Sequence, residues 1–365
     1  MTIMTEPDLR FTVGVDTHKD VHVAATLDGR GGVCATASFA TTAAGYQQLG
    51  TWAGSFGEIA AFGIEGTSSW GAGLSRHLEA AGFTVIEVNC TNRQHRRRHG
   101  KSDTADAIGA ARLVQAGEAT ARPKAGTGAV EAIRVLRVTR ESAKKARTQA
   151  INQLRSLLAT GPTDLRAELA DLRGPALVAR AAELSADIDR STPLGATTVA
   201  LGHLARRYQA LTVEIDALQK DLDVLVTAAA PPCLLAEHGV GIDSAAALLI
   251  AAGDNPERLH SAAAFASLCG TSPVDASSGK QQHHRLNRGG NRDANSALWR
   301  IVLAKMRWDE ETQIYIAKKI GEGKTKKGAM RCLKRHLARR YWKMLTQDPN
   351  PETDDQAPEQ PTITP

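Results

Sequence analysis

The stretch "FTVGVDTHKDVHVAATLDGRGGVCATASFA" (residues 11–40) decides the fold of the first domain. Residues 11–16 and 21–27 are runs of strand-forming residues, and a third run at 33–40 follows the turn "DGRGG". Such runs, separated by short Gly- and Asp-rich turns, predict a three-stranded antiparallel meander. The first strand ends on the carboxylate of Asp16. An unpaired buried carboxylate is costly, so Asp16 requires a metal, a cation or a water-filled cleft.

The elements that follow are typical of a mixed sheet. Apolar runs at 59–65 and 83–88 alternate with helical patterns near 42–54, 70–81 and 103–117. A meander followed by βα units predicts an α/β domain over residues 1–125, with helices on the faces of the sheet. The order β-β-β-α-β-α-β-α is the topology of the ribonuclease H-like fold.

Residues 126–230 have the pattern of long helices. Apolar residues recur at intervals of three and four without a break, which is a coiled-coil seam; they are Leu201, Leu204, Tyr208, Leu211, Ile215, Leu218, Leu222 and Leu225. The partner of this seam lies within the chain or on a second protomer, and we favour a dimerisation element.

Residues 231–345 form a third, mainly helical region. The segment "LLAEHGVGIDSAAALLIAAGD" resembles a helix-hairpin-helix, whose turn offers backbone N–H groups to a DNA phosphate. Residues 346–365 are rich in Pro and acids, which predicts a disordered tail.

Charge is distributed unevenly along the 365 residues, whose net charge is +6. Eleven Lys and Arg and a single acid lie between Lys318 and Lys343, and "RQHRRRHGK" (93–101) holds no acid. Concentrated positive charge indicates a polyanionic partner, a nucleic acid, rather than a merely solvated surface. The chain lacks an apolar run of about 20 residues, an N-terminal signal peptide and a CxxC pair. These features favour a reduced cytoplasmic protein over a membrane, secreted or zinc-ribbon protein.

Four carboxylates occur where a ribonuclease H-like sheet gathers its acids. Asp16 and Glu65 each end an apolar strand, and Asp103 and Asp106 begin a helix three residues apart, on one side of it. Acids so close together repel one another unless divalent cations lie among them. We therefore predict a site for Mg²⁺, with two ions per site and Mn²⁺ as a substitute.

A second chemical candidate is "TSPVDASSGKQQHHRLNRGGNRDANSALW" (271–299). Here Ser277 and Ser278 lie among cations, although no group that would activate a serine is visible nearby in the sequence. The predicted nucleic-acid contacts of this segment and of the 93–101 cluster are Arg93, Arg96, Arg97, Arg98, Lys101, Lys280, Arg285, Arg288 and Arg292.

These motifs together resemble one family, the DEDD-type transposases of the insertion-sequence-110 group. The resemblance covers nearly all of residues 11–345. It is carried by "VGVDTHKDVHVAATLDGRG", "GIEGTSSWGAGL" and "NRQHRRRHGKSDTADAIGAARL", and by the C-terminal segments "LLAEHGVGIDSAAALLIAAGD" and "FASLCGTSPVDASSGKQQHHRLNRGGNRDANSALW". It implies a RuvC-like catalytic domain that binds Mg²⁺ through Asp16, Glu65, Asp103 and Asp106. It also implies a C-terminal transposase domain whose serine becomes covalently joined to DNA.

The family pattern matches that serine to Ser277, with Ser278 as the alternative, because Lys280 stands where relatives often have a second glycine. The resemblance further implies a bridge RNA that pairs with donor and target DNA, and a dimer or tetramer acting at the prokaryotic nucleoid. Three other functions remain open. They are a junction-resolvase-like nuclease without a covalent intermediate, a sugar- or acetate-kinase-like phosphotransferase and a non-catalytic nucleic-acid-binding protein.

Overall fold

The computed structural model describes residues 10–89, 102–184, 187–278 and 283–346. The described residues divide into two compact units. The first takes its residues from 1–128 and 252–264, and the second from 129–251 and 265–365. By this grouping the long helices and the C-terminal region belong to one unit, whereas the division at 125, 230 and 345 remains a prediction from sequence. The predicted disordered tail, apart from residue 346, lies outside the described residues.

The first unit is built on a five-stranded mixed sheet. Its elements are β1 (Phe11–Thr17), β2 (Val21–Leu27), β3 (Val33–Ala40), α1 (Ala43–Gly54), β4 (Ile59–Glu65), α2 (Ala72–Ala80), β5 (Val85–Val88) and α3 (Asp103–Gln115). The strand order is β3-β2-β1-β4-β5, with the meander antiparallel and β4 and β5 parallel to β1. The mixed α/β sheet predicted from sequence is confirmed.

Two opposed glycines set how closely α3 approaches the sheet. Gly14 of β1 and Gly63 of β4 are register partners. A Cβ on Gly14 would lie 1.9 Å from the carbonyl oxygen of Ala107, and one on Gly63 would lie 2.7 Å from Val114. Only residues without a side chain therefore let α3 rest on these two strands. On the other face, α1 and α2 cover a core that includes Phe62.

The second unit begins with a long antiparallel helix pair. Its first helices are α4 (Ala129–Thr160), α5 (Thr163–Leu169), α6 (Gly174–Ala182) and α7 (Pro193–Ala229). Arg140 of α4 contacts Gln219 of α7, whereas Arg147 lies over the ring of Tyr208, 5.6 Å from its centroid. The predicted seam thus packs against α4 of the same chain. Dimerisation through α7 stays a prediction.

Six further helices and a small hairpin follow along the chain. They are α8 (Pro232–Leu235), α9 (Ile242–Ala252), α10 (Ala262–Leu268), α11 (Arg292–Trp308), α12 (Glu310–Gly321) and α13 (Lys326–Thr346), with β6 (Val274–Asp275) pairing with β7 (His284–Arg285). In the predicted helix-hairpin-helix, the first helix is a single turn, and Gly239 (φ +83°) makes the bend. No helix in the described ranges combines the length and apolar composition needed to span a bilayer.

Candidate metal centre and serine hairpin

Strand register brings Asp16 and Glu65 to the same side of the sheet. Val15 pairs with Ile64, so the next residues, Asp16 and Glu65, lie side by side at the ends of neighbouring parallel strands. Each lies two residues after a glycine that faces α3, and residues two apart on a strand share a face. The Thr17 hydroxyl donates to the carbonyl of Glu65 at 2.7 Å and ties the two strand ends together. Both carboxylates therefore lie on the side of the sheet that carries α3.

The first turn of α3 supplies the other two carboxylates. Ser102 caps the helix, its Oγ accepting from the N–H of Ala105 at 3.1 Å. Asp103 follows at the first helical position and is half exposed, whereas Asp106, one turn later, is 3% exposed. An acid in the first turn is stabilised by the helix dipole. We call Asp16, Glu65, Asp103 and Asp106 the acid cluster.

A histidine that the sequence analysis missed lies in this cluster. Nε2 of His18 is 3.1 Å from Oδ2 of Asp16 and 3.3 Å from Oδ1 of Asp103. Ligand atoms of these three residues all lie within 4.8 Å of one another, a spacing that suits one cation. The signal in the sequence was only "DTH", in which the histidine follows Asp16 by two residues.

The electrostatics of the cluster fit a bound cation. Burial raises the pKa of Asp16, and repulsion from Asp106 and Asp103 raises it further, while His18 opposes the shift. A divalent ion would offset both the burial and the repulsion, because it favours ionised carboxylates. Oxygen donors suit Mg²⁺, and the imidazole of His18 adds a donor that Mn²⁺ accepts more readily.

Ser277 is exposed in the segment that joins β6 to β7. Its hydroxyl donates to Oδ1 of Asp275 at 2.5 Å, and its backbone N–H donates to the same oxygen at 2.9 Å. The N–H of His283 donates to Ser277 Oγ at 3.0 Å. The two hydrogen bonds from Ser277 lower the pKa of Asp275, which is therefore a carboxylate at neutral pH. Asp275 is thus the acceptor next to the serine that the sequence analysis did not find.

The predicted cations fall into two groups. Arg285, Arg288 and Arg292 are exposed, and none forms an ion pair with an acid among the residues described. Arg93, Arg96, Arg97, Arg98, Lys101 and Lys280 lie outside the described residues. The acid cluster belongs to the first unit, and Ser277 with the three described arginines belongs to the second.

Comparison with known proteins gives matches at both ends of the chain. Residues 13–161 match the DEDD-type IS110 family model, described as "Transposase", and residues 233–317 match "Transposase IS116/IS110/IS902 family". The chain is 31% identical over 153 residues to the "Insertion element IS110 uncharacterized 43.6 kDa protein" of Streptomyces coelicolor. That match covers 41% of this chain and 38% of the relative.

Proposed function

This chain belongs to the IS116/IS110/IS902 family of transposases, and we propose that it cuts and rejoins DNA by metal-dependent phosphoryl transfer. The observation that carries the proposal is the gathering of Asp16, His18 and Asp103 within 4.8 Å at the strand ends. A carboxylate cluster of this kind suits catalysis on phosphate esters, where charge develops on oxygen. DNA is the substrate that the family implies, and we expect the reaction to take place at the nucleoid, in the cytoplasm of a prokaryotic cell.

The acid cluster would hold the metal. Asp16, Glu65, Asp103 and Asp106 are the proposed ligands of Mg²⁺, two ions per site, with Mn²⁺ as a substitute. Their common side of the sheet and the raised pKa of Asp16 support this assignment. When bound, the ions would supply positive charge that stabilises the charge developing on phosphate oxygens. In the metal-free protein, Nε2 of His18 contacts both the Asp16 and the Asp103 carboxylates.

Ser277 is the proposed nucleophile, with Ser278 as the alternative. Its Oγ forms a bond to the phosphorus of the scissile phosphodiester, and the bond from phosphorus to the leaving deoxyribose oxygen breaks. The hydroxyl proton passes to Asp275, and the leaving oxygen takes a proton from water. The serine–DNA diester conserves the phosphodiester bond, so the reverse attack by a deoxyribose hydroxyl rejoins strands without an energy source.

Recognition of sequence would be delegated to a structured guide RNA that pairs with donor and target DNA. The basic residues Arg285, Arg288 and Arg292 would contact phosphates of these nucleic acids, together with Lys280 and the 93–101 cluster. We further propose that a dimer or tetramer forms, because strand exchange joins two DNA sites. The exposed, unpaired state of the three described arginines supports their role.

A junction-resolvase-like nuclease is the second candidate, since the acid cluster alone would suffice for hydrolysis. The two differ in one product. When the transposase reacts with a plasmid that carries the element and with the guide RNA encoded beside it, a denaturing gel should show DNA attached to protein. Asp16→Asn and Ser277→Ala should each abolish the attached species. Nicked DNA with no attached protein in any sample would favour the nuclease.

A further inference from the structure

A cationic cavity lies in the second unit, next to the β6–β7 hairpin, whose flanking residues Pro273 and Leu286 line it. It has a volume of about 700 Å³ and is walled by the 270–273 loop, the 286–290 loop and facing sides of α11 and α13. Gly270 and Gly290 close one wall, since a Cβ on Gly290 would lie 2.3 Å from the Gly270 backbone. Five of the lining residues are cations and none is acidic, namely Arg288, Arg292, Arg331, Lys334 and Arg335.

Lys334 is the buried cation of this cavity. Only 6% of the residue is exposed, and its Nζ donates to Oδ1 of Asn295 at 2.7 Å. The Asn295 amide is fixed in turn, because its Nδ2 donates to the carbonyls of Cys269 and Gly270 at 2.8 and 3.0 Å. An amide whose N–H₂ is used in this way must present its oxygen to the lysine. The ammonium is therefore held in one position before any ligand arrives.

No carboxylate in the described part of the chain forms an ion pair with Lys334. Burial lowers the pKa of Lys334 to about 8, and the nearby Arg331 lowers it further. A fold that gained nothing from a positive charge here would be better served by an apolar residue, since unpaired buried charge is destabilising. An anion that entered the cavity would supply the missing partner.

The walls of the cavity also accept an aromatic ring. Nζ of Lys334 lies 5.5 Å from the ring centroid of Trp299, which is half-buried, and Leu286, exposed at 53%, stands at the opposite loop. Indole and aliphatic surfaces stack on nucleobases, whereas arginines and lysine bind the phosphate. A cavity of this size can enclose a small ligand. The paired bases of a duplex cannot enter it.

We propose that this cavity binds one unpaired nucleotide of a nucleic-acid strand, its phosphate at Lys334, Arg331 and Arg335 and its base at Trp299. The inference rests on the proposed function for the source of the strand, which is single-stranded DNA or an RNA loop. Both present the same phosphodiester and base, so the cavity chemistry is common to them. Lys334 is a binding residue and Asn295 a positioning residue for it.

The test measures binding of full-length protein to short labelled single strands, DNA and RNA in separate arms, by fluorescence anisotropy at several salt concentrations. Lys334→Met should weaken binding about tenfold and reduce the slope of log K against log salt by about one. Lys343→Met removes the same charge from an exposed position of α13 outside the cavity, and should change affinity less than about twofold. Trp299→Leu should weaken binding while leaving the salt slope unchanged.

Each result decides something. Equal losses for Lys334→Met and Lys343→Met would show that only net charge matters, and would overturn the assignment. So would competition by inorganic phosphate as effective as that by a nucleotide, which would mean an adventitious ion only. Loss in one arm alone identifies DNA or RNA as the ligand. If the unaltered protein binds neither strand, the proposed function fails as well. If the Lys334→Met protein is folded and binds both strands with unchanged affinity, only the assignment of this cavity is refuted.

Discussion

Nε2 of His18 lies 3.1 Å from Oδ2 of Asp16, at the end of the first strand. This contact joins an imidazole to a carboxylate that is 6% exposed and whose pKa is raised by burial and by its acidic neighbours. Repulsion and burial therefore destabilise the ionised carboxylates of the cluster when no cation is bound.

Asp16→Asn should stabilise the metal-free protein and remove its response to metal. Neutralising a carboxylate with a raised pKa removes the costs of its burial and of repulsion from Asp106 and Asp103. Thermal unfolding in EDTA should show a higher Tm for the variant. Adding Mg²⁺ or Mn²⁺ should raise the Tm of the unaltered protein only. Asp20→Asn, at an exposed site, should leave both responses intact; a metal response retained by Asp16→Asn would contradict the ligand assignment.

Metal affinity should also depend on pH in a defined direction. Asp16 must lose its proton to bind a cation, and its raised pKa means that the proton returns at a higher pH than for an ordinary aspartate. Titration of Mn²⁺ affinity from neutral to acid pH should therefore show loss beginning above the usual aspartate range. The folding stability of the metal-free protein should change in the opposite direction and rise as the pH falls. The reason is that Asp16 destabilises the fold while ionised and ceases to do so as pH falls through its pKa.

Gly14→Ala should displace α3. Its Cβ would meet the Ala107 backbone at 1.9 Å, and backbone cannot move aside as a flexible side chain can. We expect a loss of about 2–4 kcal/mol in unfolding free energy and weaker metal binding, since Asp103 and Asp106 ride on the same helix. Gly54→Ala, in open space on α1, is the matched control and should be neutral or slightly stabilising. Equal behaviour of the two variants would refute the close approach.

Asp275→Asn should slow cleavage without weakening DNA binding. The asparagine oxygen still accepts the Ser277 backbone N–H, but it is a poorer acceptor for the hydroxyl proton than a carboxylate. Single-turnover formation of the protein–DNA species should fall by roughly 10- to 100-fold, within the range of general-base contributions. Asp293→Asn, on the neighbouring helix, should not slow the reaction. A rate unchanged in Asp275→Asn would mean that the proton leaves by another route.

Binding of single strands should weaken as pH rises through about 8. Lys334 has a pKa of about 8 in the free protein, so its charge is lost above that pH, and a bound phosphate shifts the loss upward. Lys334→Arg should remove this dependence. The other groups that face Lys334 are the arginines of the cavity, which keep their charge, and the thiols of Cys269 and Cys332. Cys332→Ser should keep the pH dependence, and a flat profile in the unaltered protein would count against Lys334.

Stability of the ligand-free protein should show the reverse of that trend. The unfolded lysine keeps its proton to about pH 10.5, so the unfolded state binds more protons than the folded state between about pH 8 and 10.5. Stability contributed by this site therefore rises with pH over that window. Lys334→Met should lack the rise and be more stable below pH 8, by about 3 kcal/mol at most. Chemical denaturation at pH 7 and pH 10 measures both effects.

Much of the first unit follows from its sequence because strand periodicity and turn residues are local signals. The second strand, Val21–Leu27, and the fourth, Ile59–Glu65, have the predicted bounds, and α3 begins at the predicted Asp103. The fifth strand starts two residues later than expected, at Val85. Boundaries depend on which hydrogen bonds the neighbouring strand completes, and that is a tertiary property.

The residues that the sequence analysis missed act through contacts distant in the chain. His18 meets Asp103 only because α3 rests on β1, and Lys334 meets Asn295 only because α13 packs beside α11. The heptad pattern showed that α7 needs an apolar partner but not which one. Asp275 is the exception, since an aspartate two residues before a serine is a recognisable turn pattern.

The proposed function requires that a serine of this chain become covalently joined to DNA in a metal-dependent reaction. The direct measurement is mass spectrometry. The protein first reacts with the element's DNA and the guide RNA encoded beside it, and is then digested with nuclease and protease. We predict a nucleotide phosphate on Ser277, present with Mg²⁺, absent with EDTA and absent from Asp16→Asn. Cleaved DNA accompanied by unmodified Ser277 and Ser278 would contradict a covalent serine–DNA intermediate.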